Sequence, residues 1–204
     1  MFRRNYSSEL LEEAVEQLSS LPGIGRRTAL RLALHLLGQP RENVEQFASS
    51  IVRLRRDIRH CPVCGMISDG GHCPVCGDSR RDATVVCVVE SIRDVLSIEN
   101  TGQYNGLYHI LGGIISPIDG VGPGDLNIQA LSDRLSQGVI EEVVMALSTS
   151  MEGETTAYYI YKQISRFPVK VTAIARGVGF GDDLEYTDEL TLGRSIANRQ
   201  IFQP

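Results

Sequence analysis

The chain has 204 residues, 42% of them apolar, which suits one large domain or a core domain with smaller appendages. No apolar run approaches the roughly 18 residues of a membrane span, and the opening Met1-Phe-Arg-Arg-Asn-Tyr-Ser-Ser-Glu9 turns acidic before any hydrophobic run develops, so neither a membrane nor an exported protein is expected and the cytoplasm is the default compartment. The formal net charge of −5 alone does not suggest a nucleic-acid binder, yet residues 1–60 carry ten Arg against seven acids and the remainder is acidic.

In chain order, Ser8 is placed to cap a helix over 9–18, with Leu10, Leu11, Ala14, Val15 and Leu18 as its apolar face. Leu21-Pro-Gly-Ile-Gly25 breaks that pattern, and a second helix follows over 26–37, stopped by Gly38 and Pro40. A third is predicted over 42–58, with Val44, Phe47, Ala48, Ile51, Leu54 and Ile58 at helical spacing. Residues 60–77 form a cysteine module. Beyond Ala83 strands alternate with helices: strands at 85–89, 143–147 and 169–174, helices at 93–98 and 155–164. Continuous apolar runs such as Val85-Val-Cys-Val-Val89 mark strands buried on both faces, and the βαβ rhythm implies an open α/β sheet. Between them, 104–126 reads as a long, partly apolar loop, with regular structure disfavoured by Gly and Pro from Ser116 to Asp125; such a loop more often marks a binding surface than a spacer. The closing 177–192 is acidic and Gly-rich at its start, and its GxG is too short to indicate a nucleotide site.

Four of the five cysteines form two near-identical knuckles, Cys61-Pro-Val-Cys64-Gly65 and Cys73-Pro-Val-Cys76-Gly77. Four thiolates in tetrahedral array make a closed structural Zn²⁺ site with no open position for catalysis. His60 and His72 flank ligands, but four sulfurs already complete the set. Cys87 falls inside a buried strand and reads as a small core hydrophobe.

Leu21-Pro-Gly-Ile-Gly25-Arg-Arg-Thr28 places Gly23 and Gly25 in a turn ahead of a helix N-terminus, with Arg26 and Arg27 beside it. Such a turn brings bare backbone N–H groups close to an anion. It resembles a helix-hairpin-helix motif, which grips phosphates rather than base edges and so binds DNA without sequence readout. A helix–helix corner with no ligand would use the same glycines. A P-loop fits poorly, since no Gly-Lys-Ser/Thr follows.

Glu90 follows the first buried strand, and Ser148-Thr-Ser150-Met-Glu152-Gly-Glu154 follows the second, at the carboxyl ends where open α/β sheets bind ligands. The arrangement resembles a Toprim domain, whose enzymes hold Mg²⁺ with one Glu and an Asp-x-Asp. Aligned on Glu-Gly-Glu, Ser148 and Ser150 stand where the aspartates would be. Two hydroxyls are a poor substitute for carboxylate charge, so the domain reads as a scaffold. Glu152 and Glu154 could attract a cation or form a helix N-terminal acidic pair.

Taken together in this order, and with Tyr108-His-Ile-Leu-Gly-Gly113 and Ser116-Pro-Ile-Asp-Gly120, the chain resembles the bacterial recombination mediator family RecR. The resemblance implies a multi-segment α plus α/β fold: a helix-hairpin-helix DNA-binding segment at 1–59, a small four-cysteine zinc finger at 60–77, a Toprim-like α/β domain with a mainly parallel sheet at 78–176, and a C-terminal segment at 177–204 packing on it. It further implies one structural zinc per chain, no catalysis, and phosphate contacts from Gly23, Gly25, Arg26 and Arg27. The expected role is recombinational repair at gaps and stalled forks with RecO and RecF, as a homo-oligomer: a ring tetramer, or a dimer in solution. The rivals are a Mg²⁺-dependent Toprim nuclease or primase-like enzyme, and a zinc adaptor that binds only protein.

Overall fold

A computed structural model of the chain describes residues 8–175, 177–179, 181 and 183–198. Residues 1–7 of the opening segment, Phe180 and Asp182 of the closing segment, and the boundary at residue 176 lie outside them. The chain divides into two compact units, one ending at Ile58 and one beginning at Arg59.

The first unit is helical: α1 (Glu9–Ser19), α2 (Arg26–Leu37) and α3 (Arg41–Asp57). Ser8 caps α1 by accepting the Leu11 N–H at 3.4 Å. Val15, Ala29 and Ala33 are buried where α1 meets α2, with Leu11, Leu18, Ile24 and Leu30 packed around them. The two alanines lie one turn apart on α2, and their small side chains let the helices approach closely. Helix α3 has no buried residue. Val44, Phe47, Ile51, Leu54 and Ile58 recur at alternating steps of three and four, the spacing of a coiled-coil seam, yet Phe47, Ile51 and Leu54 are each at least half exposed.

The second unit starts with a small antiparallel pair, β1 (Arg59–His60) and β2 (Ile67–Ser68). There follow β3 (Asp82–Val89), α4 (Ile92–Asn100), β4 (Gly106–Ile110), α5 (Ile128–Leu135), β5 (Glu142–Ala146), α6 (Met151–Ile164), β6 (Lys170–Ala173) and α7 (Glu189–Ala197). The last four strands form one sheet in the order β4-β3-β5-β6, every pair parallel. One face buries Val86, Val88, Val143 and Met145 against Leu131 and Leu135 of α5 and Ile160 and Ile164 of α6. The other buries Cys87, Val89, Tyr108 and Ile110 with Val95 of α4. Burial pushes the Cys87 thiol up to about 12, in keeping with its reading as a core hydrophobe.

Strand β4 stands inside the loop predicted at 104–126, and helix α5 lies beyond it, where the sequence suggested no element. Strand β4 is cryptic because Tyr108 and His109 look polar, while both are almost fully buried, with the Tyr108 hydroxyl and His109 Nε2 bonded and His109 Nδ1 without a hydrogen-bond partner. Tyr108 donates its hydroxyl to Glu99 at 2.6 Å, and His109 Nε2 lies 2.8 Å from the Asn127 carbonyl. Helix α5 begins at Ile128, after the intervening stretch 111–127. The stretch from Ser116 to Asp125 is otherwise irregular, as predicted: a turn closed by the Ser116–Val121 bridge, then one 3₁₀ turn at Pro123–Asp125. Helix α6 begins at Met151 rather than Thr155, so Glu152 and Glu154 lie in its first turn.

Strand β4 is an edge strand, and its outward backbone groups need partners. Ile110 N–H donates to the Cys64 carbonyl at 2.8 Å, and Asn127 Nδ2 donates to the Ile110 carbonyl at 3.1 Å. Arg134 Nη1 donates to the Tyr108 carbonyl at 2.7 Å, and Arg81 Nη1 to the Gly106 carbonyl at 3.4 Å. Arg81 is itself held by a two-pronged pairing with Glu99, whose carboxyl it keeps below the usual carboxylate range. The zinc-knuckle backbone thus takes the place of a further strand.

Burial draws the His109 imidazole down to about 4, against about 6.5 in an unfolded chain. The folded state therefore holds fewer protons at this group. Its contribution is complete above pH of about 6.5 and declines as pH falls toward 4, by up to about 3 kcal/mol. Denaturant melts from pH 7 to 4 are expected to show this loss in the wild-type chain, and a flatter profile in His109→Gln.

Candidate functional site

The four cysteines predicted as ligands come together. Their Sγ atoms all lie within 4.8 Å of one another, and Cys64 Sγ is 3.5 Å from Cys73 Sγ. A tetrahedral zinc with bonds of about 2.3 Å sets sulfurs roughly 3.8 Å apart, so the donor set fits the metal. Each knuckle is closed by an amide bond at 2.9 Å, Gly65 N–H to the Cys61 carbonyl and Gly77 N–H to the Cys73 carbonyl. Gly65 needs its freedom, with φ +80° and the Ile110 carbonyl 3.3 Å from where a Cβ would stand. Gly77 does not, because its backbone lies outside the left-handed region. Further N–H groups point at sulfur: Met66 to Cys64 at 3.5 Å and Cys76 to Cys73 at 3.4 Å. Burial raises the Cys61 thiol, but backbone hydrogen bonds from Cys73, Val63 and Cys64 outweigh it and draw the thiol to about 6, whereas a hydrogen bond with Cys76 pushes Cys64 well up and burial pushes Cys73 up, so it is a bound metal's charge that would hold all four as thiolates. His60 turns to the Gly65 carbonyl, 3.2 Å from Nδ1, and the cluster contains neither it nor His72.

In the hairpin, Ile24 N–H closes the turn on the Leu21 carbonyl at 3.1 Å, with Gly23 at φ +78°. Gly25 is the N-cap of α2, and no side chain caps that end. Open space lies in front of both glycines, with no atom within 4 Å of where a Cβ would stand. The turn is thus exposed for close approach of a backbone anion. Arg27 is exposed beside it. Arg26 is engaged with Glu12 of α1, Nη2 to Oε1 at 3.4 Å.

At the carboxyl ends of β3 and β5, Glu90, Ser148 and Ser150 meet. The Ser148 N–H donates to Glu90 Oε1 at 2.5 Å, so this carboxylate fastens one strand end to the other. Ser148 and Ser150 hydroxyls are 3.0 Å apart, and Ser150 caps α6 by accepting the Gly153 N–H at 3.0 Å. Glu154 does not join them; it faces Arg194 of α7 at 3.7 Å. The acids of Glu-Gly-Glu therefore take the helix-terminal role, with their charges at the positive end of α6. Among the described residues the cysteines are the only cluster of three or more His, Cys, Asp or Glu placed to hold a metal. Sequence reasoning missed Thr156, which is fully buried and accepts the Ile115 N–H at 2.9 Å, and also Asn127 and Arg134 on the edge of β4. Their role is set by contacts far away in the chain, and no local pattern carries it.

Cys64→Ser is expected to lose stoichiometric zinc in elemental analysis. It is also expected to loosen β4, whose Ile110 amide bonds at that knuckle, while the first unit keeps its helical circular dichroism. Gly153→Ala is expected to destabilise by about 1–3 kcal/mol in denaturant melts, because its Cβ would stand 2.3 Å from the Ser148 carbonyl oxygen.

Four family models match in succession: the RecR helix-hairpin-helix at 11–55, the RecR four-cysteine zinc finger domain at 58–78, the Toprim domain at 84–175 and the RecR C-terminal segment at 177–200. Recombination protein RecR of Bacteroides fragilis is 57% identical over 199 residues, covering 98% of this chain and 97% of that protein. The proteins of the same name from Porphyromonas gingivalis and Flavobacterium johnsoniae are 55% and 53% identical, covering 98% and 97% of this chain and 96% of each relative. A structural zinc finger, a glycine hairpin and a Toprim sheet, matched over nearly the whole length, place the chain in the RecR family of recombination proteins.

Proposed function

We propose that the chain is a non-catalytic recombination mediator that holds DNA without reading its sequence. The observation that carries this is the open glycine turn: Gly23 and Gly25 present bare backbone ahead of a helix end that no side chain caps, with Arg27 exposed alongside. A phosphate approaching there meets N–H groups and the positive end of α2 together. Arg26 joins the contact by leaving Glu12, an exchange of one oxyanion for another.

The sheet crevice supports holding over chemistry. Glu90 is committed to the Ser148 amide, and two hydroxyls occupy the places where a Toprim enzyme would set aspartates. In this reading the α/β unit docks partners, RecO and in another complex RecF, to load a recombinase at gaps and stalled forks in the cytoplasm. Among the described residues no helix is long and apolar enough to cross a membrane. Self-assembly, as a dimer or a ring tetramer, is supported by the bare seam of α3, whose Phe47, Ile51 and Leu54 a second copy would cover. Such a ring would keep its Arg-rich helical units toward the DNA and its acidic surface outward.

The test is DNA binding by the purified protein across a salt series with Mg²⁺ present, alone and with RecO. Salt-steep, sequence-indifferent binding with intact DNA recovered is expected. Replacing Arg26 and Arg27 by Ala is expected to weaken binding and reduce the log–log salt slope by about two units. Cut DNA in Mg²⁺, abolished by Glu90→Gln, would overturn the non-catalytic reading; unchanged binding in the double variant would overturn the hairpin assignment.

A further inference from the structure

Zinc and four thiolates make a centre with two net negative charges, and here most of it is buried: Cys61, Cys64 and Cys73 are each at most 2% exposed, while Cys76 is partly exposed. Buried charge is costly unless a counter-charge stands close by. The arginines that follow the second knuckle are already committed. Arg80 is exposed and paired with Asp78, and Arg81 is gripped by Glu99. Arg134 is not. It is mostly buried on α5, donates to the Tyr108 carbonyl, and meets no carboxylate among the described residues.

Its position on the edge of β4 brings it to the knuckles. Tyr108 packs in the cluster that takes in Met66 and Val75, the residues beside the ligands. Two residues along the strand, Ile110 bonds to the Cys64 carbonyl. Ala130, one turn before Arg134 on α5, lines the same groove as Cys61 and Cys64. An arginine keeps its charge in such a setting.

We propose that Arg134 is the counter-ion of the zinc–tetrathiolate centre, a positioning residue that stabilises the loaded knuckles and clasps them to the sheet edge. One guanidinium then does two things. Its hydrogen bond satisfies a carbonyl of β4, and its charge offsets that of the metal cluster on the other side of the clasp.

The experiment measures zinc release from the full-length protein into excess colorimetric chelator, beside melting temperature, for Arg134→Gln, Arg134→Lys and Arg81→Gln. Gln keeps an N–H donor and loses the charge; Lys keeps the charge. Arg134→Gln is expected to release zinc about tenfold faster, the scale of an outer-shell partner's effect on metal binding, with Arg134→Lys close to wild type. Arg81→Gln, which caps the same edge with its charge already paired to Glu99, is expected to melt lower and release zinc at the wild-type rate. Equal release from the Gln and Lys variants, or release from Arg81→Gln as fast as from Arg134→Gln, overturns the proposal. Should Arg134→Gln not fold, the Lys variant decides. Zinc retention near wild type despite a lowered melting temperature supports the charge role, and release in step with lost stability, as in Arg81→Gln, overturns it.

Discussion

A strand at the edge of a sheet presents a row of amides and carbonyls that water, another chain or the protein itself must satisfy. In this fold the edge strand β4 is bonded by the protein, and the means are unusual in that none is a strand. A knuckle carbonyl takes the Ile110 amide, Asn127 takes the Ile110 carbonyl, and arginines from opposite directions in the chain take those of Tyr108 and Gly106. The zinc finger is for this reason part of the sheet's architecture as well as an appendage before it. The Tyr104 and Tyr108 rings, 5.1 Å apart, fill the space behind this border, and the Glu99 carboxylate joins Arg81 to the Tyr108 hydroxyl. Metal, edge and core are consequently one cooperative assembly.

At the other side of the molecule's central strand, the crevice between β3 and β5 is where parallel α/β sheets gather ligands. Here its polar groups bond to one another, with Ser148 and Ser150 exposed to solvent. Glu90 spans the gap to the Ser148 amide, the serine pair bridges within the loop, and Gly153 lets α6 start directly against the Ser148 carbonyl. A magnesium site would need those carboxyl and hydroxyl groups turned toward an ion and surrounded by further acids. The corner fixes the relative positions of two strands and a helix.

Patterns within a few residues were the legible ones. Two Cys-Pro-Val-Cys knuckles specify a tetrahedral sulfur set by spacing alone, and the apolar runs at 85–89 and 143–147 specify buried parallel strands by hydropathy alone. Gly23 announces a turn because its φ of +78° favours glycine, and Gly25 marks the start of α2. Strand β4 and helix α5 escaped because Tyr108, His109 and Asn127 look like loop residues until their partners, Glu99 and each other, are brought in from elsewhere. The early start of α6 was hidden for a related reason: Glu-Gly-Glu is poor helix sequence, and it is helical because Ser150 caps it and Gly153 fits beneath Ser148. Gly77, identical in sequence context to Gly65, adopts a different backbone, since only Gly65 is pressed against the Ile110 carbonyl.

The order of these parts along the chain carries a consequence for biogenesis. All four zinc ligands lie at 61–76, ahead of the strand at 106–110 that their knuckle borders, and Arg134 comes later still. A chain emerging from its amino end completes the metal site before the vulnerable strand exists. A loaded knuckle can therefore be waiting when β4 arrives, and the arginine then seals the join from behind. A nascent chain short of zinc would meet that moment with a bare strand edge in a crowded compartment, the state in which parallel sheets are most prone to stick to one another.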